Sequence, residues 1–456
     1  MSPDSRLFGT DGIRGRFGER PLDRATVTAL AVHLAATLRE RGNGAAPRVV
    51  LGGDTRESTP EICGWLAAGL TAGGIDLRYA GVIPTPGVAH LVQRTGAAAG
   101  VVVSASHNPY PDNGIKLIDP RGFKWSDEDE LMLERRLLAD RERSVPDLAE
   151  GRPEVEPDLR ELYLRYLAAT AGGDGALEGL RVVLDAGNGA ASTYARELFE
   201  RLGARVTLLH AQPNGRNVNE GCGSTAPEEM AARVAAEGAD LGAAFDGDAD
   251  RCILADERGT VRDGDAILFL WATCLHRSGR LHPPRIVATS MSNLGLERAL
   301  ATEGISVGRC NVGDRYVVEA MQKEGILLGG EQSGHIVQSE LSSTGDGLLT
   351  AVQMAWLRRQ ADQPLSAMLA PFRRYPQVLL NVKVAKKIDF KALPVVTAVA
   401  RSIEERLGED GRLVLRYSGT EPLARIMIEG PEQEMIDGLA GELAVAIRGE
   451  LGQGGV

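Results

Sequence analysis

Three aspartates spaced two apart, Asp246, Asp248 and Asp250 in FDGDADR, follow the apolar segment Leu241 to Phe245. If the segment stays extended, residues i, i+2 and i+4 point to one side, so three carboxylates converge and repel one another unless a cation lies between them. Hard oxygen ligands of this kind suit Mg²⁺. A solvated acidic turn is the plain alternative, because Asp and Gly make turns readily. A calcium EF-hand is another, since Asp246, Asp248, Asp250 and Glu257 match positions 1, 3, 5 and 12 of its loop. It fails because position 6 carries Arg251 where Gly is needed, and because the flanks read as strand and turn instead of two helices.

The segment SASHNPYPDNGIK, Ser104 to Lys116, also follows a β-branched run. A serine there exposes its hydroxyl at the ligand-binding end of a strand, with His107, Asn108 and Lys116 nearby as donors. A turn or helix cap explains the same residues, and Ser104 competes with Ser106 as the working hydroxyl. RYSGTEPLAR, Arg416 to Arg425, offers an anion cradle: backbone N–H groups around Gly419, hydroxyls from Ser418 and Thr420, and two guanidiniums. GTDGIRG (Gly9 to Gly15) and GGEQSGH (Gly329 to His335) are Gly-rich loops that single out Arg14, Glu331, Ser333 and His335. The serine and cradle segments each read equally well as ordinary loop structure, and each Gly-rich loop alone is weak. Together they supply a hydroxyl, a divalent metal, a sugar-facing carboxylate and a phosphate cradle, the set that phosphoryl transfer requires.

The elements that must position them recur. A short β-branched run ends in a polar, Gly-rich turn and is followed by a helical pattern: Arg48 to Arg56 and Ala99 to Asn108, then Arg181 to Gly189 and Asp240 to Arg251, then Arg285 to Asn293 and Ile326 to Gly334. Helix-period stretches such as Glu61 to Ala72 and Leu294 to Glu303 lie between strands. Strands alternating with helices imply sheets covered on both faces, with ligands gathered at the carboxyl ends of the strands. Asp140 to Glu156 and Pro371 to Pro376 read as separators, and the tail from Gln377 reads as a smaller α+β domain. The expected domains are therefore 1–155, 156–257, 258–372 and 373–456.

A chain of 456 residues is too long for one core and fits three or four domains at roughly 100–200 residues each. A net charge of −11 argues against a nucleic-acid partner, because the overall field repels phosphate backbones. An anionic substrate then needs a locally basic cleft. The cations are mostly Arg, with Lys at seven positions, so that Lys116 inside a polar turn stands out. Cys63, Cys222, Cys252, Cys274 and Cys310 form no CxxC pair, so neither a disulfide framework nor a zinc site is indicated. No run approaches the roughly 18–20 apolar residues of a membrane span and no secretory leader opens the chain, so no membrane partner and a cytoplasmic location are expected.

FGTDGIRG, SASHNPYPDNGIK, DGDADR, GGEQSGH and the SGTEP of RYSGTEP resemble, in order and spacing, the pattern of the α-D-phosphohexomutase superfamily, from about Arg6 to about Gly430. The resemblance implies an α/β fold: three related α/β domains with mixed sheets flanked by helices, plus a C-terminal α+β domain similar to the TATA-binding-protein fold, around a central cleft. It implies that Ser106 is the phosphorylated residue and that Asp246, Asp248 and Asp250 hold Mg²⁺ together with an oxygen on Ser106. Glu331 and Ser333 would grip sugar hydroxyls, Arg416, Ser418, Gly419, Thr420 and Arg425 would hold the distal phosphate, and Arg251 joins the substrate-binding set. His107, Lys116, Arg14 and His335 would serve the catalytic step, with Lys116, His335 and Arg14 unranked as proton carriers. Two departures are Tyr417, which removes a cation that members often carry beside the cradle, and Pro111, where a second aromatic is common.

Phospho-Ser106 would give its phosphate to O1 of a hexosamine 6-phosphate, and a hexose bisphosphate would be both intermediate and activator. The motifs DGDADR, EQSGH and SGTEP lean toward members that act on glucosamine phosphates and feed amino-sugar nucleotide synthesis. Relatives acting on glucose and mannose phosphates more often show DGDGDR and EMSGH. Further readings are a phosphatase using Asp246 as nucleophile, which would not need Ser106, and a non-catalytic sugar-phosphate binder. A homodimer is an open expectation.

Overall fold

The computed structural model describes residues 7–9, 11–42, 45–139, 148, 151–418 and 422–452. They fall into two compact units, one formed by residues up to 289 together with 308–369, the other by 290–307 and the chain from 370 onward.

The first unit contains a six-stranded sheet in the spatial order Phe8–Gly9, Gly12–Arg16, Asp112–Ile118, Ala99–Val103, Arg48–Gly53, Asp76–Val82. The last three strands run parallel, and the remaining pairings in the sheet are antiparallel. Ala99–Val103 reads AGVVV and every residue is buried, as expected of a strand covered on both faces by helices. The helix Thr59–Ala72 supplies part of that cover with Ile62, Cys63, Leu66 and Leu70. A five-stranded sheet follows, with Leu241–Phe245 and Arg181–Asp185 parallel at its centre and Cys252–Asp256 antiparallel to Leu241–Phe245. In the four-stranded third sheet, Arg285–Thr289 pairs parallel with Leu328–Gly330, which pairs antiparallel with Ile336–Gln338.

The repeat is therefore more specific than a strand followed by a helix. Each sheet has a buried strand, then a short loop, then an antiparallel return, and the loops are 104–111, 246–251 and 331–335. The serine motif, DGDADR and EQSGH are the turns of such pairs. Lys116, expected in a polar turn, stands instead in the return strand opposite Val102. The polar letters of DNGIKLI hide this strand because its lysine is buried against carboxylates and not exposed to water.

The second unit has an antiparallel sheet in the order Gln377–Lys383, Leu423–Glu429, Arg412–Tyr417. Helices Pro394–Leu407 and Gln433–Leu451 pack Val396, Ile403, Leu439 and Leu443 against Ile426 and Ile428. This is the α+β tail expected from the sequence. Among the described residues no helix is long and apolar enough to cross a membrane.

Candidate active site

Ser104 and Ser106 leave the strand Ala99–Val103 in different directions. Ser104 is fully buried; its Oγ donates to Asp54 Oδ2 at 2.6 Å and accepts the Ser106 amide at 2.9 Å. Ser106 adopts φ 53°, in the left-handed region, and its Oγ donates to Asp246 Oδ2 at 2.6 Å. For a residue with a Cβ this conformation costs roughly 1–2 kcal/mol and needs support from its surroundings. That support comes from Arg56, which sequence reasoning did not single out. Nη2 of Arg56 donates to the carbonyls of Ser106 (2.9 Å) and Asn108 (2.8 Å), and Nη1 donates to those of Pro109 (2.7 Å) and Asp112 (3.0 Å). Nε pairs with Asp54 at 2.9 Å, and neither side chain is exposed. Asn219 Nδ2 adds a second donor to the Ser106 carbonyl at 3.0 Å.

The aspartates converge, although not by strand alternation. Residues 246–250 form a turn after Leu241–Phe245, with Ala249 at φ 52°, and it is this turn that gathers the three carboxylates to within 4.8 Å of one another. Asp246 Oδ1 accepts the Arg251 amide at 3.1 Å. Asp248 Oδ2 accepts from Thr85 Oγ1 at 2.5 Å and from Lys116 Nζ at 2.9 Å. Burial raises the Asp246 pKa, and Asp250 and Asp248 raise it further. Burial would do the same to Asp250, but Lys116, His335 and Arg251 outweigh it and hold that carboxyl well below its usual range. Asp248 Oδ1 and Asp250 Oδ1 are buried without a hydrogen-bond partner. Unpartnered anionic oxygens in a dry site are costly, and a hard divalent cation satisfies them. The residues therefore fit a metal ion. Asp248→Asn is expected to keep the fold, since Lys116 retains Asp11 at 3.2 Å and Asp250 at 3.7 Å. Turnover should fall at least about a hundredfold, or ~2.7 kcal/mol. Steady-state rates with a melting curve check both halves, and near-normal turnover would remove the triad from the chemistry.

A cavity of about 720 Å³ in the first unit is lined by residues of the Gly9 to Gly15, Ser106, Asp250 and Glu331 loops, including Arg14, His107, Arg251 and His335. Arg14 Nη1 donates to Ala105 O at 3.1 Å and Asn108 Oδ1 at 3.2 Å, and the side chain pairs with Asp11. Asp11 in turn bonds Lys124, which also bonds Asp314, so one charged chain runs from the first sheet to the third. Sequence reasoning missed these three residues, whose motifs gave no sign of their pairing. His107 Nδ1 lies 3.4 Å from Ser106 Oγ. Its pKa is pushed down to about 4 by burial, with Arg251 and Arg14 adding to the effect, so it is neutral at pH 7.

Burial alone would lower the Lys116 pKa, but Asp11, Asp248 and Asp250 outweigh it and keep the ammonium protonated. For His335, burial is likewise opposed by Asp250, Asp314 and Glu331, which favour a charged ring. The Gly345 amide, however, donates into Nε2 at 3.0 Å, which leaves the proton on Nδ1, 3.7 Å from Asp250 Oδ2. A backbone donor cannot turn away, so the neutral tautomer is the resting form. Glu331 Oε1 accepts the Gly313 amide at 2.9 Å, and Oε2 accepts from Ser333 Oγ at 3.3 Å.

In the second unit Arg416 and Arg425 stand opposite each other on paired strands, and Arg425 Nη2 donates to Ser418 Oγ at 3.3 Å. Burial and then the facing Arg425 lower the Arg416 pKa, as two cations kept together would be expected to do. Gly419 and Thr420 lie outside the described residues. Tyr417 points to the other face of its strand, donating to Ile388 O at 2.6 Å and stacking on Phe390. A cation unforeseen in the sequence, Lys387, reaches the Ser418 carbonyl at 2.6 Å.

A buried serine hydroxyl on an acidic triad, at the loops of three repeated α/β sheets, defines a phosphoryl-transferring enzyme. Models of the phosphoglucomutase/phosphomannomutase family match throughout: alpha/beta/alpha domain I over residues 5–144, domain II over 161–259, domain III over 263–375 and the C-terminal domain over 379–446. The chain belongs to this family of phosphohexomutases, intramolecular phosphotransferases of the isomerase class. Its relatives include a phosphoglucosamine mutase of Solibacter usitatus, 45% identical over 98% of this chain and 99% of the relative. Another from Parvibaculum lavamentivorans is 46% identical over 97% and 98%. Among solved structures, a phosphoglucomutase/phosphomannomutase family protein from Burkholderia thailandensis superposes with TM-score 0.79 at 23% identity, covering 99% of this chain and 98% of that one. The N-acetylphosphoglucosamine mutase of Aspergillus fumigatus, solved in complex with GlcNAc-6P and magnesium, gives 0.63 at 20% identity, covering 99% and 97%. These two share the fold.

Proposed function

We infer that the chain interconverts glucosamine 6-phosphate and glucosamine 1-phosphate in the cytoplasm, and that Ser106 carries the transferred phosphate. The observation that supports this most is Ser106 Oγ, held 2.6 Å from Asp246 on the wall of the cavity that Arg14, Arg251 and Glu331 also line.

In the first half-reaction the P–Oγ bond of phospho-Ser106 breaks and a P–O bond forms at the sugar O1, whose proton passes to a base. The bisphosphate then turns over. In the second half-reaction its 6-phosphate returns to Oγ and O6 takes up a proton. Arg14 and Arg251 orient the phosphate being passed, bidentate guanidiniums being suited to this. Glu331 and Ser333, already bonded to each other, meet the sugar hydroxyls. His335 in its neutral form can move a proton; Lys116, resting as an ammonium, suits donation to the oxygen that leaves phosphorus; the guanidinium of Arg14 is the least suited of the three to carry a proton. Asp246, Asp248 and Asp250, with an oxygen on Ser106, would hold Mg²⁺, which when bound neutralises charge on the transferring group. Arg416, Ser418 and Arg425, with Gly419 and Thr420, would hold the distal phosphate.

The substrate is tested by comparing kcat/KM for glucosamine 6-phosphate, glucose 1-phosphate and mannose 1-phosphate, each with its matching bisphosphate primer. The amino sugar should win by at least about tenfold, equivalent to ~1.4 kcal/mol of differential transition-state binding. Equal or better turnover of the glucose or mannose ester would reassign the substrate.

A further inference from the structure

The second sheet carries a cluster that phosphoryl transfer leaves unused. Asp185 ends the strand Arg181–Asp185, His210 follows the parallel strand Arg205–Leu209, and Cys222 comes from the loop beyond. A carboxylate oxygen, a ring nitrogen and the sulfur of these residues all lie within 4.8 Å of one another. Asp185 and Cys222 are fully buried. Asp185 accepts the Gly187 amide on Oδ1 and the Gly223 amide on Oδ2, each at 2.9 Å, which aims the carboxylate and leaves a lone pair on each oxygen. His210 Nδ1 sits 3.1 Å from Asp185 Oδ1, yet this buried nitrogen makes no hydrogen bond of acceptable geometry. On the far side of the ring, Nε2 faces Glu229 Oε2 at 3.4 Å.

We propose that Asp185, His210 and Cys222 form a zinc site, with Glu229 orienting the imidazole from outside. Sulfur, imidazole and carboxylate donors in one cluster select zinc over magnesium, which takes oxygen alone. Cys222 as thiolate and Asp185 as carboxylate balance the divalent charge. An imidazole that binds metal through one nitrogen and donates its other N–H to a carboxylate is the arrangement that recurs around such ions.

The ion would act as a brace. It ties the ends of two neighbouring strands to the loop carrying Cys222, and Asn219 of that loop donates to the Ser106 carbonyl. Gly223 packs so closely on the Phe245 carbonyl that a Cβ would lie 2.3 Å from it, directly before Asp246. The separations along the chain match no compact zinc motif, which is why spacing did not reveal the site.

Chelator-stripped, reduced protein is titrated with Co²⁺ in excess Mg²⁺, which keeps the acidic triad occupied. One equivalent should produce a thiolate-to-cobalt charge-transfer band in the near ultraviolet. The band should vanish in Cys222→Ser and in His210→Asn, the latter chosen because Asn tolerates the left-handed φ of 46° at this position. It should persist in Asp248→Asn. One equivalent of Zn²⁺ should raise the melting temperature of the native chain but not of Cys222→Ser. The proposal is overturned if no band appears, if the band survives Cys222→Ser, or if it disappears in Asp248→Asn.

Discussion

Ser106→Ala is expected to fold, to accept no phosphate and to lose at least about four orders of magnitude in kcat/KM, roughly 5 kcal/mol of transition-state stabilisation. The size follows from the proposed role: without the hydroxyl there would be no covalent carrier, and what would remain is a cavity that orients the sugar phosphate. Stability should change little by comparison. Alanine and serine pay similar costs at φ 53°, the carbonyl keeps its bonds from Arg56 and Asn219, and the change deletes one donor to Asp246. A buried acceptor left alone costs about 1–3 kcal/mol. Intact mass after incubation with glucose 1,6-bisphosphate should show one added phosphate on the native chain and none on the variant. Ser104 cannot substitute, because its hydroxyl is held between Asp54 and the Ser106 amide. Phosphate found on Ser104 or on an aspartate, or turnover within tenfold of native, would falsify the assignment.

The parts of this site that could be read from sequence are those whose chemistry is local. DGDADR, SASHN and EQSGH each hold their functional side chains within a few residues, directly after a recognisable apolar strand, so position and chemistry are legible together. What could not be read depends on strand order. The antiparallel return Asp112–Ile118 reads as polar because Lys116 is satisfied by Asp248 and Asp11, residues far away in the chain. Asp11, Lys124 and Asp314 look like scattered surface charge until three loops bring them together. The convergence of Asp246, Asp248 and Asp250 was legible but its cause was not: alternation in an extended segment predicts it, whereas a turn with Ala249 in the left-handed region produces it. Tyr417 was read as weakening the anion cradle, yet it faces away from it, and Lys387 brings a cation to Ser418 from a different strand end.

Arg56 is the residue whose loss should damage the fold most, although it follows an ordinary GGDT turn and touches no reacting atom. All five of its side-chain N–H groups are used: Nε on Asp54, Nη1 on the carbonyls of Pro109 and Asp112, Nη2 on those of Ser106 and Asn108. Arg56→Met keeps most of the volume and removes every one of these bonds. It also leaves Asp54 buried without its counter-charge, retaining hydroxyls from Ser104 and Thr59. Breaking a buried pair from one side costs about 3–5 kcal/mol, which for a cooperative unit of this size lowers Tm by roughly 4–7 °C. Arg56→Lys should recover little, because an ammonium restores the charge but cannot serve four carbonyls spread along one loop. Asn219→Ala, which removes one of two donors to the Ser106 carbonyl, should cost only about 1 kcal/mol. In the Arg56 variants the serine loop loses what holds its left-handed turn, so kcat should fall further than KM rises, since the misplaced group is the one proposed to carry the phosphate. Melting curves and steady-state kinetics on the three variants separate these effects; if Arg56→Met melts within a degree or two of native, the loop is held by something other than Arg56.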